Sequence, residues 1–328
     1  MRKPGLAKIQ HYVPQFILKN FSFCDDRQVW VFDKKTGKKF KSHIKNVASE
    51  NGFYDFKFQN NELTIEPSIA QFETEASGII DDIVRERSIA FLTENNKAVL
   101  SYFFSLQFTR TKQHRIMFQE LIKGFFGAIK SRGFDPAKVE GYSELTDENS
   151  RFHDIMFIAK SDKFAPYFFN KSWLLFEVSL EQNLLYIGDN PITMQNMHKF
   201  GPYGNIGLAV KGIEIYFPLS KTLCLGMYCS TIEKEIRDGY NKYKLLYQID
   251  PIAVNRIMKD PHSIEKMMAG FDSKTTIQFI PDNVVNQNAL QVEYSARFVF
   301  SYTDDFSLVE QMIKDNPKFR EGIKPEIE

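Results

Sequence analysis

Cysteine is scarce in this chain. Its 328 residues include three, Cys24, Cys224 and Cys229, an odd number that forms no CxxC and no Cys/His cluster. Neither a zinc ribbon nor a disulfide framework is indicated, and a reducing cytoplasm is the expected setting. Long apolar runs are missing too. Nothing approaches the roughly 18 residues of a membrane helix, and the basic opening MRKPGLAKIQHYVPQ lacks the apolar stretch of a secretory leader. No membrane partner is expected. There is no GxGxxG after a strand, no GxxxxGKS/T, no HExxH, no GxSxG and no EF-hand loop, which argues against dinucleotide oxidoreductases, P-loop NTPases and zincins. Cys224 sits inside an apolar strand, where inert burial is the default for a thiol. Internal repeats, low-complexity tracts and coiled-coil heptads are absent as well.

What is present is phenylalanine, 31 of them, in a chain that is 43% hydrophobic and 25% charged. That composition is globular and implies an aromatic-rich core; a single α+β domain over 1–328 is the expectation. Net charge is only +1, but residues 1–45 carry 11 Lys/Arg against 3 acids, a local +8 that leaves −7 for the rest. Lys34, Lys35, Lys38, Lys39, Lys41 and Lys45 cluster in it, a pattern that suits a phosphate backbone and equally suits the solvated side of a hairpin.

Taken in order, Pro14 favours an extended Val13 and a short helix just after it, which puts His11 in an arm and Gln15 near the helix start. RQVWVFD (27–33), the turn KKTGKK and KFKSHIKNVA read as a β-hairpin, with Phe53 and Tyr54 as core anchors after it. A helix follows from Thr64, with Ile65, Ile69, Phe72, Ala76, Ile79 and Ile83 on one side. Glu66 and Glu73, seven apart, project in nearly the same direction. Such a pair can hold a divalent cation or do acid/base work, and it also fits a solvated flank.

Residues 97–125 read as one long helix. Leu100, Phe103, Phe104, Met117, Phe118, Leu121 and Phe125 fall in or near one stripe, and Gln107, Arg110, Thr111 and His114 interrupt it. Polar groups on a buried face demand partners, which marks the floor of a site. Residues 131–150, polar with Gly and Pro, form a lid or surface excursion. A helix at 151–169 precedes four short strands, 173–179, 184–188, 212–219 and 221–228, expected as an antiparallel meander. Between the second and third, Gly188-Asp189-Asn190-Pro191 ends a strand abruptly, leaving Asp189 as a local Asx turn or as a functional carboxylate. Helices are expected at 231–246, 250–259, 282–296 and 304–314. The fold expected is therefore an N-terminal arm and hairpin, a central helical layer, an antiparallel sheet of about four strands and C-terminal helices.

The cluster His11-Tyr12-Val13-Pro14-Gln15, with Phe16, Leu18 and Phe21 behind it, resembles the opening signature of a bacterial family, Domain of Unknown Function 4238. Further matches follow in order: Asn46-Val47 with Phe53-Tyr54, Glu66 with Glu73, Gln107 with Arg110-Thr111, Gly188 to Pro191, Pro218-Leu219-Ser220, and Asn286 with Gln291. The resemblance spans almost the whole chain and implies no established activity. Where members often carry proline after the Gln-x-x-Arg-Thr run, this chain has Lys112, so the helix is expected to continue.

Brought together, these polar residues would resemble a phosphodiesterase site. His11, Gln107 and Arg110 form the catalytic set, with His11 as acid or base, Gln107 orienting and Arg110 clamping a phosphate. Glu66, Glu73 and Asp189 hold Mg²⁺ or Mn²⁺. The expectation is a metal-dependent, nuclease-like hydrolase, an effector acting on nucleic acid or nucleotide. The alternative is a non-catalytic binding or sensing module in which the same residues form a buried structural network.

Overall fold

The arm is extended because Pro14 (φ −60, ψ 143) caps a helix it cannot precede with helical backbone. In the computed structural model, residues 8–23, 27–58, 61–145, 150–181, 183–198, 205–257 and 261–324 are described. Residues 1–7 with Arg2 and Lys3, Cys24, Asp25, Asp26 and residues 146–149 of the expected lid lie outside them. The first elements are β1 (Ile9–His11), α1 (Gln15–Lys19), β2 (Gln28–Asp33), β3 (Lys38–His43), β4 (Ser49–Asn51), β5 (Asp55–Phe58) and β6 (Asn61–Thr64). The hairpin is as expected, with β2 and β3 paired from Gln28↔His43 to Asp33↔Lys38. Gly37 takes the positive φ, +73, that its turn requires. The arm is tied down by β1 pairing with β4, His11 opposite Ser49.

The helical layer follows as α2 (Glu66–Glu86), α3 (Glu94–Thr109) and α4 (Lys112–Ser131). The long helix expected at 97–125 is two helices. Arg110 closes α3, and Thr111 turns extended (φ −79, ψ 157) with its hydroxyl accepting from His114 N at 3.3 Å. Lys112 permits a continuing helix but cannot enforce one against a threonine that caps the next, and Thr111 Oγ1 also donates to Asn190 Oδ1 at 2.9 Å. The excursion after α4 holds the short α5 (Tyr142–Leu145). The helix expected at 151–169 is α6 (Ser150–Ala159) and α7 (Ala165–Phe169), split by a 3₁₀ turn at Ser161–Phe164.

Next come β7 (Ser172–Glu177), β8 (Ile187–Gly188), β9 (Thr193–Asn196), β10 (Ile213–Ser220) and β11 (Leu223–Tyr228). The chain continues with α8 (Ser230–Ile249), α9 (Pro251–Ile257), α10 (Pro261–Ser273), β12 (Thr276–Gln278), α11 (Pro281–Tyr294), β13 (Phe298–Ser301) and α12 (Ser307–Asp315). The larger sheet runs β12-β7-β11-β10-β9, with β12 parallel to β7 and the other pairs antiparallel. The expected meander is therefore corrected. The segment 184–188 contributes two strand residues and joins the hairpin sheet, ordered β3-β2-β13-β8. One edge of the segment pairs with β13, and side-chain amides of α11 take up further backbone N–H groups: Tyr186 N donates to Asn288 Oδ1 and Gly188 N to Gln291 Oε1, each at 2.8 Å. Gly188 must be glycine for this approach, since a Cβ there would meet Gln291 O at 2.9 Å.

The core sits between α3 and the larger sheet, where Phe103, Phe104, Phe168 and Phe217 are fully buried. Each such ring contributes roughly 2–3 kcal/mol of transfer free energy. Phe53 and Tyr54 are 0% exposed, the anchors the sequence indicates. A second cluster, including Phe32, Tyr186, Val299 and Phe306, joins the hairpin sheet to α12. The architecture is α+β, and among the described residues no helix is long and apolar enough to cross a membrane.

Candidate functional site

Helical spacing places Glu66, Ile69, Ala70, Glu73, Thr74 and Ser77 on one face of α2. That face is one wall of an open pocket of about 310 Å³; His11, Gln15 and Phe16 from the arm and α1 form the other. Glu66 opens α2 as its first residue, with Ile65 rather than Glu66 in the cap position and Pro67 just inside the helix. Three of the residues singled out in the sequence, His11, Glu66 and Glu73, therefore share one cavity.

Their positions are set from behind. Gln10 is fully buried; its Oε1 accepts from Tyr54 N at 2.5 Å and its Nε2 donates to Asp55 Oδ1 at 2.8 Å. Tyr54 Oη donates to His11 O at 2.9 Å. Gln107 Nε2 donates to Tyr12 O at 2.9 Å, so α3 grips the arm directly after His11. Arg110 completes the frame: Nη1 donates to Glu73 Oε1 at 2.6 Å, and Nε and Nη2 donate to Gln107 Oε1 at 3.1 and 2.8 Å. Burial works against the Arg110 charge, but Tyr54 and Glu73 outweigh it and hold its proton more tightly than usual.

Burial lowers the pKa of His11 from its ordinary 6.5. Hydrogen bonding to the backbone of Lys45 and Ile44 and the Glu73 carboxylate pull the other way, without reversing it. The imidazole is accordingly neutral at pH 7, and its buried Nε2 has no hydrogen-bond partner among the described residues. A neutral imidazole beside two carboxylates can accept a proton from a nucleophile or return one to a leaving group.

Arg110 is not the expected phosphate clamp. It is 0% exposed, lies outside the pocket lining, and spends its donors on Gln107 and Glu73. Gln107, also 0% exposed, positions the arm and Arg110 rather than meeting a ligand. Asp189 is corrected as a metal ligand. It is 0% exposed; Oδ1 accepts from Ala296 N at 2.6 Å, and Oδ2 accepts from Arg297 N and Phe298 N at 3.0 and 2.9 Å. It is not a local Asx turn either, because those N–H groups belong to the distant entry into β13, residues 296–298. Among the described residues no three His, Cys, Asp or Glu side chains form a ready-made metal group. Glu66 and Glu73 are the carboxylates in this pocket that remain to hold an ion.

The hairpin lysines divide. Lys34 is corrected as a nucleic-acid contact: it is 0% exposed, and its Nζ donates to Val292 O and Ser295 O at 2.6 Å each. Burial brings its pKa down to about 8. Lys39 pairs with Glu310 at 2.7 Å. Lys35, Lys38, Lys41 and Lys45 are exposed. Gln15, Phe16, Thr74 and Ser77 line the pocket without having been anticipated as site residues. Extending the Glu66–Glu73 stripe by one helical turn finds Ser77, and by the neighbouring row Thr74.

No curated protein and no solved structure matches the chain. A family model does match, over residues 9–305, and the chain belongs to that family, described as Protein of unknown function (DUF4238).

Proposed function

We propose that this chain is a hydrolase of phosphodiesters or nucleotides that works in the His11–Glu66–Glu73 pocket. One observation carries the reading: an imidazole with a lowered pKa lines an open cavity together with two carboxylates. His11 is the proton acceptor. Glu66 and Glu73 are the residues that would hold Mg²⁺ or Mn²⁺, and the donor set fits, because Mg²⁺ is commonly bound by one or two carboxylates completed by water and substrate phosphate. The ion would supply the positive charge that lets a phosphate approach two acids. Arg110 keeps Glu73 oriented, and Gln107 holds Arg110 and the arm in register. Cys224 and Cys229 are free, in keeping with a cytoplasmic, effector-like hydrolase.

A second reading is favoured by the closure of the Glu73–Arg110–Gln107–Tyr12 chain, which resembles a structural network supporting a binding module without chemistry. Calorimetric titration of Mg²⁺ or Mn²⁺ into wild type and Glu66→Gln, with turnover of oligonucleotides and nucleotides by wild type and His11→Ala, separates the two. The hydrolase reading expects metal binding that weakens in Glu66→Gln and turnover that falls by at least about 10²-fold in His11→Ala. Absence of both metal binding and turnover in wild type would leave the binding module.

A further inference from the structure

Three aromatic rings and two lysines meet on the surface where the loop after α1, the hairpin, the β10–β11 turn and the residue after β13 converge. Phe23 lies 6.1 Å from Trp30, tilted by 32°, and 6.5 Å from Tyr302, edge-on at 88°. Lys41, the cross-strand neighbour of Trp30, holds its Nζ 4.8 Å from the Trp30 ring centre and 5.5 Å from that of Phe23. Lys221 Nζ sits 3.4 Å above Tyr302, and the Lys221 backbone N–H donates to Asn20 O at 3.2 Å, which ties the turn to the loop after α1. All three rings are partly exposed. Among the described residues neither lysine has a carboxylate partner, in contrast to Lys39, which Glu310 holds.

We propose that this cluster is a docking platform for single-stranded nucleic acid. The proposal rests on the hydrolase reading for its link to the pocket and names the substrate class there. A lysine over an exposed ring is a weakly held cation. When a strand arrives, the ammonium can move to a phosphate and leave the ring face to an unpaired base, so each lysine–ring pair is exchanged for a phosphate contact and a stack. A duplex offers no free base faces to rings set in a sheet. The charge that draws the strand comes from the same N-terminal stretch whose local balance is +8, but the contacts come from Lys41 and Lys221 rather than from the hairpin turn, where Lys34 is buried.

Trp30 supplies the probe. The chain has two tryptophans, and Trp173, 4% exposed in the core, will not respond to a surface ligand. The full chain in EDTA is titrated with a homopyrimidine single strand and followed by tryptophan fluorescence, with the anisotropy of a labelled strand as the second readout. Salt-sensitive quenching is expected. Replacing both Lys41 and Lys221 with alanine should flatten the log–log salt slope by about 1.4. Phe23→Ala should weaken binding by about fivefold or more, while Lys35→Ala and Lys38→Ala bind close to wild type. Absence of binding, equal affinity for duplex, or a loss confined to Lys35→Ala and Lys38→Ala overturns the platform. Strand binding without turnover in Mg²⁺ or Mn²⁺ overturns the pocket reading and leaves the platform standing; turnover of nucleotides with no strand binding does the reverse.

Discussion

Asp189 and Glu73 are both carboxylates beside a buried cation, and they are used in opposite ways. Asp189 is sealed, with both oxygens committed to three backbone N–H groups at the start of β13 and Lys34 nearby. Burial pushes its pKa up, while those N–H groups and Lys34 pull against the rise. Glu73 gives one oxygen to Arg110 and, 24% exposed, faces a cavity. Around Asp189 the surrounding polar groups also find partners. Arg297 forks onto Asp33 at 2.9 and 2.7 Å, and Asn190 Nδ2 donates to Tyr294 O at 3.0 Å. Arg297 brings the Asp33 pKa down to about 2. Around Glu73 the chain of donors stops at a pocket wall that His11 shares. The contrast teaches that chemical type does not separate scaffold from site here; the hydrogen-bond account does.

The largest test of this contrast is Asp189→Ala. It orphans three buried N–H groups and should lower unfolding free energy by about 3–5 kcal/mol, read from urea midpoints at constant m. A loss under about 1 kcal/mol would mean the knot is not structural and would reopen Asp189 as a site residue.

Next is acid titration of His114, a buried counterpart to His11. It stacks on Phe157 at 4.5 Å, and burial lowers its pKa to about 4. Because the folded value lies below the unfolded 6.5, the unfolded chain binds the extra proton. Stability is fully present above pH 6.5 and is lost as pH falls through about 4, by up to about 3 kcal/mol. Asp154, which shares the small cavity beside His114 and is raised to about 6 by burial, has the opposite slope between its two values. The measurement is therefore the difference between wild type and His114→Phe, in which the wild-type decline should disappear.

The smallest stability effect is expected at the pocket. His11→Ala removes an imidazole whose Nε2 has no partner among the described residues, and should shift unfolding free energy by less than about 1 kcal/mol while abolishing turnover. A drop as large as that of Asp189→Ala would place His11 with the scaffold.

Much of the architecture was legible because period and punctuation are local signals. Alternation in QVWVFD and the turn at Gly37 specify the hairpin, and Pro14 specifies the extended arm and short helix. Glu66 and Glu73 were readable as neighbours because a helix repeats its direction every seven residues. The break at Thr111 was not readable from Lys112, since a residue that tolerates helix says nothing about a cap competing beside it. The excursion of 184–188 into the hairpin sheet was hidden because its partners, Asn288 and Gln291, lie about a hundred residues on. α10, β12 and β13 went unanticipated: short strands paired with distant ones carry little pattern of their own. The roles of Arg110 and Lys34 were misjudged for one reason. A cation's meaning depends on which acceptors reach it, and Glu73 and Val292 O are far away in sequence.

By itself, the sequence determined the α+β class, the family, the aromatic core and the small set of polar residues set against apolar surroundings, because side-chain type and spacing fix these before any long-range contact forms. Only the tertiary structure decided which of those residues face solvent. Asp189, Lys34, Arg110 and Gln107 are closed off by backbone and side-chain partners from distant segments, while His11, Glu66 and Glu73 are left around a cavity. Satisfying a buried polar group takes partners that chain folding alone brings within hydrogen-bonding distance.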